Sequence, residues 1–283
     1  MSKLRIGLVG AFFPNFDAVK LGVYDKSKEE LQALAHLLDF ELVAVEEGVK
    51  SQDESQQAAR QLDAAGVDFL LIQASSFSLG DVILPLVDVN ARLGLWFLPE
   101  PSFEGEIPLN SFTGFNLFTS IIRLHLQERS LPFKWFFGMA ATPRFRRRLE
   151  ITVRALAALK QLSRTKIGLI GGAAPTFLNL DYDAPSIAQR LGVQIEQHAM
   201  DAVFQRVESY TDRQVAEVVG SMTERAAEVR VTDEWMARTG RVYLALRDLA
   251  SEGAYGALGV RCWPEFQSEL GGIGPCAAIS WLN

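Results

Sequence analysis

Cysteine and histidine are scarce in these 283 residues, with two of the first, Cys262 and Cys276, and three of the second, His36, His125 and His198. The cysteines form no CxxC and have no histidine at zinc-ligand spacing, which argues against a zinc site and a disulfide framework and leaves free, mostly buried thiols as the expectation. No histidine has a second one at ligand spacing and no Ser-His-Asp order can be argued, so each reads as structural. Cations are in deficit as well: 28 Lys and Arg stand against 34 Asp and Glu, a net charge of -6. That balance gives no overall attraction to a nucleic-acid backbone, and nucleic acid is not an expected partner. No apolar run reaches the ~18 residues a membrane-spanning helix needs, so no membrane partner is expected. The opening MSKLRIGLVG enters a strand-like run without an export signal's apolar region and cleavage site, so the expected location is the cytoplasm.

Apolar residues make up 48% of the chain and charged ones 22%, the balance of a compact globular protein and not of a disordered one. At ~100–200 residues per domain the length predicts two domains. Arg5-Ile6-Gly7-Leu8-Val9-Gly10 and Lys166-Ile167-Gly168-Leu169-Ile170-Gly171 are nearly the same hexamer, so the chain starts the same kind of sheet twice. After the first, strand-like runs at Glu41–Glu46, Val67–Ala74 and Gly94–Leu98 alternate with helix-like segments at Lys28–Asp39, Ser51–Ala65 and Leu79–Ala91. Such alternation marks a parallel sheet covered on both faces. Ser27 or Ser51 supplies a helix N-cap and Gly66 a helix-ending glycine. A proline-rich rim loop at Pro99–Leu109, a helix at Phe118–Glu128, a strand at Phe133–Met139 and a long amphipathic helix at Arg144–Leu162 complete the first half. The expected domains are residues 1–140 and 141–283. In the second, strands at Val193–His198 and Tyr255–Cys262 alternate with helices at Ala184–Leu191, Thr211–Ala226 and Thr232–Ser251. The fold class is α/β, two doubly wound parallel-sheet domains of Rossmann or flavodoxin type, with ligands at the carboxyl ends of the strands.

Three groups of residues carry candidate chemistry. Gly171-Gly172-Ala173-Ala174-Pro175 follows a strand as phosphate-binding loops do, yet lacks GxGxxG and a P-loop lysine, and a tight turn is the plainer reading. Arg144, Arg146, Arg147 and Arg148, with Lys134 upstream, place positive charge at a helix start, where the macrodipole disfavours it. That cluster calls for a carboxylate from a subunit or domain, or for a phosphorylated or sulfonated ligand, against the plainer outcome of a solvated face. Arg261, Trp263 and Glu265 alternate along a strand-like segment, which would point a guanidinium, an indole and a carboxylate one way, as in sugar sites; a structural triplet explains them equally well.

The segments GVRCWPEFQ and GIGPCAAISWLN resemble the L-fucose isomerase-like group of sugar isomerases, related to L-fucose and L-arabinose isomerases. KIGLIGGAAPTFLNLDYD is similar to the opening of that group's second domain, and Gly114-Phe115-Asn116 to a Gly-Phe-Asn turn in its first. The resemblance implies two flavodoxin-like domains followed by a third, catalytic domain, in a homo-oligomer that interconverts an aldose and a ketose at a divalent, manganese-type ion. By that resemblance the metal carboxylates and ligand histidine fall beyond residue 283. This chain is therefore expected to lack the third domain, to bind no metal alone and not to isomerise a sugar alone. The carried-over substrate-binding residues are Lys20 in an early loop, where L-fucose isomerase has two arginines and this chain Val19-Lys20, the aromatic Phe77, and Arg261 with Trp263. Glu265 has no clear equivalent and is taken only as close to the site. A sugar is the expected small-molecule partner, and the Arg144–Arg148 cluster with Lys20 prompts a sulfonated one. A second reading is a stand-alone carbohydrate-binding or regulatory protein with two α/β lobes.

Overall fold

The computed structural model describes residues 3–102 and 104–282; Phe103, inside the expected rim loop, lies outside that set. The chain divides into two compact units, Met1–Ala158 and Leu159–Asn283. The division falls within a helix, later than residue 140, because that helix buries Phe145, Leu149, Val153 and Leu156 in the first unit's core. Among the described residues no helix is long and apolar enough to cross a membrane.

The first unit runs β1 (Leu4–Ala11), α1 (Val23–Leu38), β2 (Phe40–Ala44), α2 (Gln52–Ala64), β3 (Phe69–Ala74), α3 (Ile83–Leu86), β4 (Arg92–Phe97), α4 (Ser111–Ser120), β5 (Phe133–Phe137) and the start of α5 (Pro143–Leu162). Its five strands are all parallel in the order β2-β1-β3-β4-β5, the flavodoxin order. The FLLIQA run of β3 is buried along its whole length, as a central parallel strand covered on both faces must be. Alternation splits the apolar side chains into two cores. Ile6, Leu8, Phe69, Leu71, Trp96 and Phe136 meet α1 and α5 on one face, while Val9, Leu70, Ile72 and Leu95 meet α2, α3 and α4 on the other.

Local chemistry sets the boundaries. Ser51 caps α2, its Oγ accepting from the Glu54 amide, and Gly66 takes the left-handed conformation after the helix, both as expected. Ser27, by contrast, is no cap. The helix α1 begins a turn earlier, at Val23, and Ser27 Oγ donates to the Val23 carbonyl from inside it. The long helix expected over Leu79–Ala91 is a 3₁₀ turn, Gly80–Val82, followed by the one-turn α3, because Pro85 fits only a first turn and Val87 and Val89 turn into the core. The helix expected at Phe118–Glu128 begins earlier, at Ser111, and loosens into a π turn over Ile121–His125. Gly114-Phe115-Asn116 accordingly lies on α4 and is not a turn.

The second unit runs from the end of α5 through β6 (Lys166–Ile170), α6 (Ala184–Leu191), β7 (Gln194–His198), α7 (Asp201–Ser209), α8 (Asp212–Arg225), α9 (Asp233–Gly253), β8 (Ala257–Val260), α10 (Glu265–Glu269) and α11 (Cys276–Leu282). Its parallel strands lie in the order β7-β6-β8, which repeats the first three positions of the first unit's sheet. The core gathers Ile170 with Met200, Val203, Val242, Ala245, Leu246 and Phe266. Thr211 closes a reciprocal capping box with Gln214 at the start of α8. Helix α7 lies outside the expected elements; its inward set, Val203 and Val207, is a single i, i+4 pair with little periodicity to read. Cys262 and Cys276 are free but exposed, which corrects the expectation of buried thiols.

Candidate functional site

In a doubly wound sheet the ligand-binding crevice opens where strand order reverses, at the carboxyl ends of the strands. In the first unit that point lies between β1 and β3. Phe12-Phe13 follows one strand and Ser75-Ser76-Phe77 the other. The Phe13 amide donates to Ser76 Oγ at 3.1 Å, and Ser76 Oγ donates to the Phe77 carbonyl at 2.9 Å, which ties the two strand ends together. Gly114 of α4 is pressed against this turn: a Cβ there would sit 2.9 Å from the Ser76 carbonyl oxygen. The half-buried Phe77 ring lies 6.5 Å from Phe13, edge-on, and 5.9 Å from Phe16, so it belongs to an aromatic cluster. Beneath the rim a buried relay fixes the geometry. Ser75 Oγ donates to Gln73 Oε1 at 2.8 Å and Gln73 Nε2 donates to Ser27 Oγ at 2.9 Å, joining β3 to α1.

Beside that rim, between α1 and α2, is a cleft of about 740 Å³. Its floor is Phe12, Tyr24, Val45, Val49 and Ala58, and its polar wall carries Asp25, Glu46, Glu47 and Glu54 against Lys50. Tyr24 is held by donation of its hydroxyl to the Val45 carbonyl at 2.6 Å, and burial pushes its pKa up. Lys20 is exposed on the loop before α1, 3.6 Å from Asp17, and neither it nor Phe77 lines the cleft.

The second unit offers a cleft of about 650 Å³ at the carboxyl ends of β6, β7 and β8, lined by Gly171, Gly172, His198, Asp201, Arg261 and Glu265 among others. Gly171 and Gly172 both hold positive φ, and a Cβ on Gly171 would collide with Met200 and crowd Arg261. The loop is thus a tight turn that brings the backbone up to Arg261. Arg261 clamps Glu265 with two hydrogen bonds, one of them from Nε at 3.1 Å, and reaches the Ala173 carbonyl. Both side chains are largely buried, at 18% and 29% exposure, so this pair is held far better than a surface ion pair.

Trp263 does not join them. The expected alternation requires a strand through residue 265, but β8 ends at Val260 and α10 starts at Glu265, so the three residues sit on a turn and a helix start. Arg261 and Glu265 meet in the cleft while the indole is exposed and outside its lining.

One network escaped the sequence reading. Tyr255, just before β8, lays its ring over Gly168, where a Cβ would come within 2.8 Å of it. That crossing lets its hydroxyl donate to Glu196 Oε2 at 2.6 Å and meet His198 Nε2 at 2.7 Å, while Lys166 Nζ donates to Glu196 Oε1 at 2.8 Å. The Lys166 and Tyr255 hydrogen bonds hold the Glu196 carboxyl below its ordinary range, and the same carboxylate raises the Tyr255 phenol. With the phenol donating to Glu196, His198 Nε2 is the donor toward Tyr255. The signal available in the sequence was the spacing of Glu196 and His198 on one face of β7 opposite Gly168.

Among the described residues no three His, Cys, Asp or Glu side chains group so as to hold a metal ion. No known protein-family profile matches the chain. Two curated proteins called sulfoquinovose isomerase, from Priestia aryabhattai and Priestia megaterium, are each 24% identical to it over 240 residues, 84% of this chain and 53% of theirs. A protein of the same name from Alkalicoccus urumqiensis is 26% identical over 217 residues, 76% of this chain and 48% of its own. The chain spans about half the length of the curated relatives it matches. Among solved structures, a periplasmic solute-binding protein of an ABC transporter from Actinobacillus succinogenes 130z with bound D-allose covers 91% of this chain and 78% of its own. At 10% identity and a TM-score of 0.27 that likeness carries no argument. The sequence similarity is to sugar isomerases, at low identity, and it is not specific to L-fucose isomerase.

Proposed function

We propose that this chain takes part in converting an aldose to its ketose, within an isomerase of the L-fucose isomerase-like group, and that its substrate is a sulfonated hexose. The observation that supports the reading is the similarity over 84% of the chain to proteins called sulfoquinovose isomerase. Moving a sugar carbonyl from C1 to C2 requires the open chain to be held at its hydroxyls while a proton passes between the two carbons. The cleft of the second unit, about 650 Å³, is of the size that takes a small molecule. Arg261 stands in its lining with the acids Asp201, Glu208, Glu265 and Glu269, and the Glu265 clamp fixes the guanidinium that would meet a sulfonate or a hydroxyl. His198 and Asp201 line the same cleft and supply hydrogen-bonding groups.

Trp263 offers an exposed indole for stacking, and Phe77 and Lys20 are the proposed sugar contacts of the first unit, outside the lining of its cleft. The group it resembles uses a manganese-type ion, and the described residues do not fit one; the part we propose for this chain within such an isomerase is to hold the sugar. Calorimetric titration of the 283-residue chain with sulfoquinovose tests this. The expected result is saturable heat that weakens roughly tenfold or more in Arg261→Ala, the loss of one charge-assisted contact. No heat with sulfoquinovose, or equal affinity for wild type and variant, overturns the assignment.

A further inference from the structure

The cleft between α1 and α2 takes no part in the proposed sugar site, and its chemistry differs from that of the second unit's cleft. Its floor is apolar and partly aromatic, formed by Phe12, Tyr24, Val45, Val49 and Ala58 beyond the carboxyl ends of β1 and β2. Gly48 lays its backbone against the Phe12 ring, where a Cβ would come within 3.0 Å of it. Gly22, also in the lining, faces open space, since nothing lies within 4 Å of where its Cβ would be. At about 740 Å³ the cleft has the size that small organic molecules fill, and covering an apolar floor contributes binding energy in proportion to the area removed from water.

The wall decides the charge of the occupant. Asp25, Glu46, Glu47 and Glu54 stand on it against Lys50. Lys28, one turn on in α1, is shared between Asp25 at 3.0 Å and Glu46 at 3.7 Å, and its Nζ also donates to the Glu46 carbonyl. Lys50 Nζ lies 3.5 Å from Glu54. Two lysines thus meet four carboxylates, and among the described residues Glu47 has no cation. Both helices begin at this cleft, and a helix start attracts anions. That attraction is already answered from within the chain: Asp25 lies in the first turn of α1, and Asp53 and Glu54 in that of α2. Glu46 and Glu47 are therefore surplus negative charge beside an apolar floor. The unit's positive charge gathers elsewhere, around Trp135 at the opposite edge of the sheet, where Arg148 lies over the indole at 4.3 Å.

We infer that this cleft is a second ligand site, selective for an organic cation that carries an ammonium group on an apolar, aromatic body. The body covers Phe12, Val49 and Ala58, and the ammonium meets Glu46 and Glu47 at the rim. A sulfonated or phosphorylated sugar is the wrong occupant: its anion would add to the uncompensated charge of the wall, and its hydroxyls would leave the floor without apolar contact. A small hydrated cation gains little either, because exposed carboxylates hold it weakly and the floor contributes nothing to it.

Calorimetric titration of the full chain with phenethylamine, with amide NMR shifts to locate the ligand, provides the test. The expected result is saturable binding that moves the Gly22 and Gly48 amides. Phenylacetate, which has the ring and the opposite charge, and methylamine, which has the charge and no ring, are each expected to bind roughly tenfold more weakly or worse. Glu46→Gln with Glu47→Gln removes the surplus charge from an exposed loop and should weaken phenethylamine roughly fivefold. Gln57→Lys, at an exposed position of α2 on the cleft wall, places a competing cation there and should weaken it likewise, with the thermal midpoint of wild type retained. No binding of phenethylamine, equal binding of phenylacetate or methylamine, shifts confined to other residues, or folded variants that bind like wild type overturn the inference.

Discussion

Replacing Gln73 by leucine probes the buried relay that holds the first unit's strand ends in place. The Gln73 amide is fully buried, with Ser75 Oγ donating to it at 2.8 Å and Ser27 Oγ accepting from it at 2.9 Å. Leucine fills nearly the same volume, so little cavity forms and the effect is polar. Ser75, itself 1% exposed, is left with a buried hydroxyl and no acceptor, a cost of about 1–3 kcal/mol. Ser27 keeps its own donation to Val23 at 2.8 Å and loses only an incoming bond, about 0.5–1.5 kcal/mol. The sum is about 1.5–4.5 kcal/mol. Adding Ser75→Ala removes the stranded hydroxyl and should return about 1–2 kcal/mol, since exchanging both partners for apolar groups is nearly neutral. Urea unfolding, with native-state hydrogen exchange of the β1 and β3 amides assigning the transition to this unit, measures both variants. A Gln73→Leu protein within about 0.5 kcal/mol of wild type, or a double variant less stable than the single one, would refute the reasoning.

Three further outcomes follow from the second unit. Thr211→Ala removes the hydroxyl half of the α8 capping box, leaving the backbone amide of residue 211 to donate to Gln214 Oε1, and should cost about 0.5–2 kcal/mol, seen as a lower unfolding midpoint that Thr211→Ser restores. Glu196, with its carboxyl pKa lowered by Lys166 and then Tyr255, contributes stability fully present above the ordinary glutamate value of 4.5 and lost as pH falls below it. The gap in thermal midpoint between wild type and Glu196→Gln should therefore close in acid; a gap that is constant with pH removes the network from the account. Tyr210 is pushed up to about 12, first by burial and then by its hydrogen bond to Asp248. Its contribution is whole below pH 10 and is lost as pH rises through about 12, so Tyr210→Phe should lose less stability than wild type over that interval in alkaline unfolding.

The strands were legible because buried parallel strands write themselves as apolar runs: Leu4–Ala11, Phe69–Ala74 and Lys166–Ile170 stand out against their flanks. The repeated hexamer led to the second sheet, and its strand order proves to copy the first. What sequence reading lost were places where tertiary demands override local signals. Ser27 looks like a cap but serves inside α1, because Gln73 from β3 needs an acceptor there. Trp263 looks like the partner of Arg261 in a strand pattern, but the strand stops at Val260 and the next helix takes Glu265 alone to the guanidinium. The Glu196–Tyr255–His198 network joins residues 59 and 57 positions apart through the space left by a glycine, which no local pattern reveals. The arginine run at the start of α5 was plain in the sequence. The order of strands, which places β5 and β2 at the two edges, was not.

The proposal that this chain takes part in sugar isomerisation is tested directly by proton exchange at the sugar's second carbon. The protein isolated from its native cells is incubated with sulfoquinovose in deuterated water and followed by proton NMR. The account predicts loss of the C2 proton signal together with the appearance of the ketose. An aldose that keeps its C2 proton and yields no ketose, with the protein folded throughout, would contradict it.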